Sequence, residues 1–346
     1  MGASEWWEKI NSSSRMIGSI LDSVKRRNSV IVNVSGAPFT EEFERITQDK
    51  LCMTDSENSF EIIDDSAGDI SVEDLLFGKY CPDDIAMTYF PTLNNTKAKF
   101  MAKCEQFRLN TSTAWVSLTD EKRAEEWIKL IKEYAVNCDA LRHAVFVLLV
   151  NSENMQPVKS KNIIYISAKD YITEYDFYVY YMLETSNINS CSTLKKQYVA
   201  ELLASFCAAD AATADIMLDR RKELAERPVE LYIECSSQDI TQTELQSRLW
   251  RAQMKVFFPA IEEFRYRIVW KYINQIQDAM PFQTVYGFGI SEPFELDLGN
   301  ILTMNNTGDI FLMPGDLEKI RNYKSVRDDL AHMKPSPFST IEKLLV

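Results

Sequence analysis

AVFVLLV, residues 144–150, is the most hydrophobic run of this chain. Seven apolar residues without a polar break suit a strand buried on both faces, the mark of a central strand in a parallel sheet. Working outward, VIVNV (30–34), SFEIID (59–64), TAWVSL (113–118) and NIIYISA (162–168) read as further strands. Helical patterns separate them. Residues 14–27 end in Lys25-Arg26-Arg27, cations suited to a helix C-terminus. Thr40 is placed to cap a helix that opens with Glu41 and Glu42. A helix is predicted near 96–107. Asp120 caps another over 121–136, whose Trp127, Leu130, Ile131 and Tyr134 form one stripe. A Tyr- and Phe-rich helix follows near 170–183, and residues 65–95 read as acidic and irregular. Strands alternating with helices predict an α/β layer with a mostly parallel sheet.

The remainder reads as helical. Leu194, Tyr198, Leu202, Leu203 and Phe206 open a helical stretch over 193–228. A boundary is expected at Ser236-Ser237-Gln238. Thr241 then starts a long helix, which Pro259 should kink and Pro281 should end. Residues 282–312 look looser, 315–332 form a helix, and a short one closes the chain at 339–345. The expected division is an α/β domain over 1–190, a helical lid or connector over 191–236 and an α-helical domain over 237–346.

Composition removes several classes. In 346 residues, 46% are hydrophobic and 11% aromatic, too much for a disordered chain. With 10 glycines and 11 prolines it is neither fibrous nor linker-dominated. No apolar run approaches 18 residues, so no membrane span is expected, and the N-terminus lacks a signal core. The chain begins Met-Gly, but Trp6 stands where a myristoylation signal wants Ser or Thr. Net charge is -13, which does not advertise a broad nucleic-acid surface. Residues 236–346 carry 12 basic and 14 acidic side chains, so the last third is the less repulsive part. Seven scattered cysteines without C-x-x-C predict reduced thiols in a cytoplasmic protein. With two histidines, neither near a cysteine pair, no metal is expected.

The turn after VIVNV is where an ATPase carries its phosphate loop. Here it reads VSGAPFTEEF (34–43), with one glycine, no Lys before Ser or Thr, and two glutamates that would repel phosphate. AVFVLLV runs into Asn151-Ser152-Glu153 rather than into paired acids. The order of VIVNV, TAWVSL and AVFVLLV, followed by the helical LKKQYVAELLASFCAADAATADIML (194–218), resembles the P-loop ATPase domains of STAND-type and AAA-like bacterial proteins. The resemblance implies a degenerate member without a working P-loop and without a bound cofactor.

Near the other end, NYKSVRDDLAH (322–332) holds Arg327 and His332 as R-x-x-x-x-H within a helix. Five residues turn a helix by about 140°, so the two side chains do not stack on one face. They converge when the helix end is distorted or when two such helices meet across a dimer axis. A histidine at a helix end beside an arginine that can fork onto phosphate is a minimal set for metal-free RNA cleavage. The imidazole takes the 2′-OH proton and the guanidinium stabilises the charge growing on the phosphorane.

Arg327, Asp328 and His332, with Leu330-Ala331 in an "LAH" form, resemble the motif of the HEPN family, and LWRAQMKVFFPAIEEFRYRIVWKYI (249–273) resembles that family's long helix. The resemblance implies a helical bundle that dimerises through the C-terminal domain and acts as a metal-independent ribonuclease in bacterial antiphage defence. Arg327 would bind phosphate, His332 would be general acid and base, and Asp328 would orient one of them. Trp250, Gln253, Glu262 and Arg265 are placed to pack behind the motif. The motif's second position is Asp328 where Asn is commoner, and Asp329 adds another carboxylate; both would repel a scissile phosphate. The alternative is therefore a catalytically inactive regulatory, scaffold or sensor subunit with a protein partner in a defence complex. A third reading is a nucleotide-binding switch through 30–48. His143 reads as structural. Tyr171, Tyr175, Phe177, Tyr178, Tyr180 and Tyr181 read as core and partner surface ahead of base stacking. The acidic stretch 62–84 reads as solvated loop.

Overall fold

Val30, Ile31 and Val32 are fully buried, and all six residues of Val145–Val150 are buried. In this computed structural model, which describes all residues except 1, 55–58, 66–69, 93, 139–142, 161, 187–190, 285–286 and 346, these two segments lie side by side in a sheet. Two compact units make up the chain, Met1–Asp176 and Phe177–Val346.

The first unit is α/β. Strands β1 (Ser29–Asn33), β2 (Phe60–Ile62), β3 (Thr113–Leu118), β4 (Val145–Val150) and β5 (Ile163–Ser167) form one parallel sheet in the order β2-β3-β4-β1-β5. Val30 pairs in register with Val147, and Trp115 with the same residue from the other side. The most hydrophobic strand is thus the central one of the five, paired on both edges and buried along its length. Helix Glu121–Asn137 covers one face, where the Tyr134 ring meets Phe146 edge-on at 5.6 Å and Trp127 lies 6.1 Å from it. The Asp120 carboxylate caps that helix by accepting from the Lys122 and Arg123 amides at 2.7 and 3.0 Å.

The acidic stretch corrects the sequence reading. Residues 65–95 hold two helices, Val72–Tyr80 and Asp83–Ala86, although 66–69 and 93 lie outside the described residues. Val72, Leu76 and Tyr80 repeat every four residues and are buried, and Ser71 caps the first helix through the Asp74 amide. Charge on the outer face concealed that stripe.

The second unit is built on the helix Gln242–Lys271. Thr241 caps it, accepting from the Glu244 amide at 3.3 Å. The helix continues through Pro259 and stops at Lys271, with a separate short helix Ile273–Asp278 before Pro281. Its buried stripe includes Val256, Phe257, Ile261, Phe264 and Ile268. Two neighbours cover it: Thr193–Phe206, through Tyr198 against Phe257 at 5.0 Å, and Pro314–Ala331, through Tyr323 stacked on Phe264 at 4.0 Å.

Three expectations change here. The stretch expected as a connector over 191–236 belongs to the second unit, and the division falls at 176/177 rather than at 190 and 236. The reason is that Tyr198, Val199, Ala200, Leu202, Leu203 and Phe206 leave that helix apolar nearly all round, so it must be enclosed. The loose region 282–312 contains the helix Leu298–Thr307, capped by Asp297 and closed by Gly308 at φ 85°. The unit is not purely α-helical either, because β6 (Phe282–Gln283) pairs antiparallel with β7 (Gly289–Ile290). Among the described residues no helix is long and apolar enough to cross a membrane.

Candidate functional site

At the carboxyl end of the sheet, β1 leads into a turn at Gly36, whose φ of 81° suits glycine. The last residue of β1, Asn33, is buried and decides what this corner can do. Its amide nitrogen donates to the Ser152 carbonyl at 2.8 Å and to the Tyr165 hydroxyl at 3.1 Å. Its oxygen accepts from the Ser35 and Ser152 amides at 3.1 and 3.3 Å. Every position of the side chain is engaged in tying the ends of β1, β4 and β5 together. Over the helix that follows, Trp7 donates to the Phe39 carbonyl at 3.1 Å and the Ser4 hydroxyl donates to Glu42. Hydrogen bonds from Arg45 and then Ser4 hold the Glu42 carboxyl down at about 2. The start of this helix therefore holds an ionised Glu42 already paired with Arg45, which offers no free cation to a nucleotide phosphate.

Beside this corner, the ends of β2 and β3 open onto a cavity of about 680 Å³ lined by Asp64, Asp65, Ser117, Asp120 and Arg123, among others. Asp65 accepts from Arg123 Nε and Nη2 at 2.7 and 2.5 Å and from the Trp127 indole N–H at 2.7 Å, while Arg123 Nη1 donates to Glu126 at 2.7 Å. Its side chain is 1% exposed. The Asp65 contact raises the Arg123 pKa further, keeping the guanidinium charged. Sequence reasoning missed this pair because 58 residues separate its partners. The pair lines the cavity with the Asp65 charge already matched by Arg123.

In the second unit, Arg327 and Asp328 lie in the helix Pro314–Ala331, and His332 is its C-terminal cap. The Arg327 guanidinium lies 3.5 Å from Asp297 Oδ2 and 3.8 Å from Asp328 Oδ1. Asp328 also takes Lys324. Asp329 accepts from the Ser336 hydroxyl at 2.9 Å. Two carboxylates, those of Asp297 and Asp328, thus face Arg327, while Asp329 is turned to Ser336. His332 is exposed, its backbone N–H reaches the Asp328 and Asp329 carbonyls at 3.1 Å each, and its ring bonds no described residue.

Of the four residues expected behind the motif, Trp250 and Gln253 reach the end of its helix and the segment after it, whereas Glu262 and Arg265 face the 293–297 segment. Trp250 donates to the Leu330 carbonyl at 2.8 Å. Buried Gln253 accepts from the Ser336 amide at 2.7 Å and donates to the Ser336 carbonyl at 3.1 Å. Arg265 pairs with Glu262 at 2.8 Å and donates to the Phe294 and Leu296 carbonyls at 2.8 and 3.1 Å. By holding that loop, Arg265 sets the position of Asp297 and so of the charge facing Arg327.

Other singled-out residues do not form a site. His143 is buried against the Arg27 carbonyl at 2.7 Å. Phe177, Tyr180 and Tyr181 are buried, whereas Tyr175 is exposed. All seven cysteines are free thiols, and burial pushes Cys81 up to about 11. Among the described residues no three or more His, Cys, Asp or Glu are grouped to hold a metal ion. One feature was not anticipated. Tyr266 and Trp270 project from the long helix and, with Phe294, form an exposed aromatic cluster with centroids 5.2 to 6.3 Å apart.

No family model matches the chain, and no curated protein matches it. Among solved structures it is similar to a chain in a structure of Drosophila ORC bound to DNA, at 10% identity and a TM-score of 0.28 over 85% of this chain and 79% of that one.

Proposed function

We propose that this chain is a regulatory or scaffold subunit of a bacterial defence complex, an ATPase-like unit joined to a HEPN-like unit with neither acting as an enzyme. The observation that carries this reading is the charge around Arg327. Its guanidinium faces Asp297 and Asp328 in the position where a cleaving site would offer it to a phosphodiester. A phosphate entering there meets carboxylates and must displace one of them. Asn33 supports the same reading in the first unit, since its engaged amide fills the strand ends where a nucleotide would sit.

A second reading is a dimeric metal-independent ribonuclease. It is favoured by His332, an exposed imidazole on a helix end fixed by Trp250 and Gln253. In that reading the imidazole of one copy takes the 2′-OH proton while a guanidinium stabilises the phosphorane.

Incubation with single-stranded RNA in excess chelator separates the two. The wild type and Asp297→Asn, which removes the charge facing Arg327, are each compared with His332→Ala. The subunit reading expects no cleavage above the His332→Ala background in either. Cleavage by the wild type that is lost in both His332→Ala and Arg327→Ala overturns it and establishes the ribonuclease.

A further inference from the structure

Water-facing aromatic clusters are uncommon because each ring leaves apolar surface unburied. Tyr266 is 51% exposed, Trp270 53% and Phe294 38%. The Tyr266 and Phe294 rings are stacked at 5.2 Å, and Trp270 lies 5.5 Å from Phe294. At 150–250 Å² per aromatic side chain, the three leave on the order of 300 Å² open, within the range of the largest apolar patch on a typical monomer, which is often functional. Core packing does not require them: the buried stripe of the same helix runs through Phe264 and Ile268.

The surrounding charges select the partner. Glu292 and Glu295 flank Phe294 and carry no ion pair among the described residues. Glu263 and Arg267 stand four residues apart on the same helix and contribute one charge of each sign. Arg265 is committed to Glu262 and to two backbone carbonyls. The rim therefore keeps an excess of two carboxylates beside open indole and phenol faces. That combination repels a nucleic-acid backbone and attracts cations, which bind aromatic faces directly.

We propose that Tyr266, Trp270 and Phe294 form the docking surface for a partner protein, through a segment that carries arginine side chains among apolar residues. Arginine planes stack on Tyr266 and Trp270, and Glu292 and Glu295 pair with the outward charge. This rests on the subunit reading above and supplies its contact surface, but its test does not involve RNA cleavage. A fluorescent peptide alternating arginine and leucine is titrated into the full chain at physiological salt. The same peptide with glutamate for arginine, and oligouridylate, are the controls. Two lost cation–aromatic contacts should weaken binding of the arginine peptide about tenfold in the double variant Tyr266→Ala, Trp270→Ala. Glu292→Gln with Glu295→Gln should weaken it about threefold and flatten its salt dependence. Circular dichroism should show both variants folded, since the changed residues are exposed. Equal peptide binding by wild type and the aromatic double variant overturns the proposal, as does tighter binding of the glutamate peptide or of oligouridylate. Sedimentation that shows a dimer lost in the aromatic variant overturns it in favour of a second copy.

Discussion

Arg123 and Arg327 are each held by an aspartate, and the two arrangements differ in everything else. Arg123 meets Asp65 with two hydrogen bonds, a tryptophan N–H completes the carboxylate, and the aspartate is 1% exposed. Arg327 meets Asp297 at a single 3.5 Å contact, and its side chain is 29% exposed. The first is a structural joint that stays closed. The second is a partly exposed charge balance that contributes little to stability and is screened by salt. Lys271 and Asp316 stand between, at 2.6 Å and partly buried, with the Tyr272 hydroxyl as a further donor. Burial and donor number, rather than the presence of an ion pair, separate a pair that holds the fold from one that adjusts a site.

The largest effect is expected at Asp65. Asp65→Ala leaves the Trp127 N–H without its acceptor and the nearly buried Arg123 guanidinium with only the exposed Glu126 at 2.7 Å, at a cost of about 3 kcal/mol or more. For a unit of this size that lowers the melting temperature by roughly 10 °C in calorimetry. A fall under about 2 °C would break the contrast, because Arg123 would then be as replaceable a joint as Arg327.

The intermediate pair sharpens the comparison through pH. Burial pushes the Asp316 carboxyl up, but the hydrogen bonds from Lys271 and Tyr272 outweigh it and hold the group below its ordinary range. A carboxyl depressed in the folded state contributes stability above its unfolded value, near 4, and loses it as pH falls through the lower folded value. Asp316→Asn should therefore cost about 1–2 kcal/mol at pH 7, and the gap from wild type should close below about pH 4. Melting curves at pH 7 and pH 3 that show the same gap would mean that the charge of Asp316 contributes nothing.

The three pairs also show what the sequence makes visible. Strands β1, β3 and β4, the Asp120 cap and the start of the long helix at Thr241 are legible because each is specified by residues a few positions apart. Asp65 and Arg123 are not, since nothing in either neighbourhood names the other. The helix Leu298–Thr307 falls between these cases. Its Asp297 cap and Gly308 stop are in the sequence, but Gly299, Asn305 and Asn306 weigh toward a loop until tertiary packing buries Leu298, Ile301 and Met304. At the motif, the spacing of Arg327 and His332 is readable, whereas the carboxylate that faces Arg327 comes from another helix. Tyr266 and Trp270 share the helical spacing of the core stripe but stand off it, so only the folded chain reveals them as exposed.

The smallest stability effect belongs to Asp297, and its smallness is the point. Asp297→Asn keeps the side-chain oxygen that caps the helix through the Asn300 amide at 2.7 Å and removes only the charge toward Arg327. An exposed pair of this kind contributes about 0.2–1 kcal/mol, so the melting temperature should move by no more than a few degrees. The same change should leave Arg327 with Asp328 alone as a close counter-charge, and added inorganic phosphate should then raise the melting temperature of Asp297→Asn more than that of wild type. A large loss of stability would make the Arg327 pair a structural joint like that of Arg123. An unchanged response to phosphate would show that Asp328, which also holds Lys324, is enough by itself to keep the guanidinium from a phosphate.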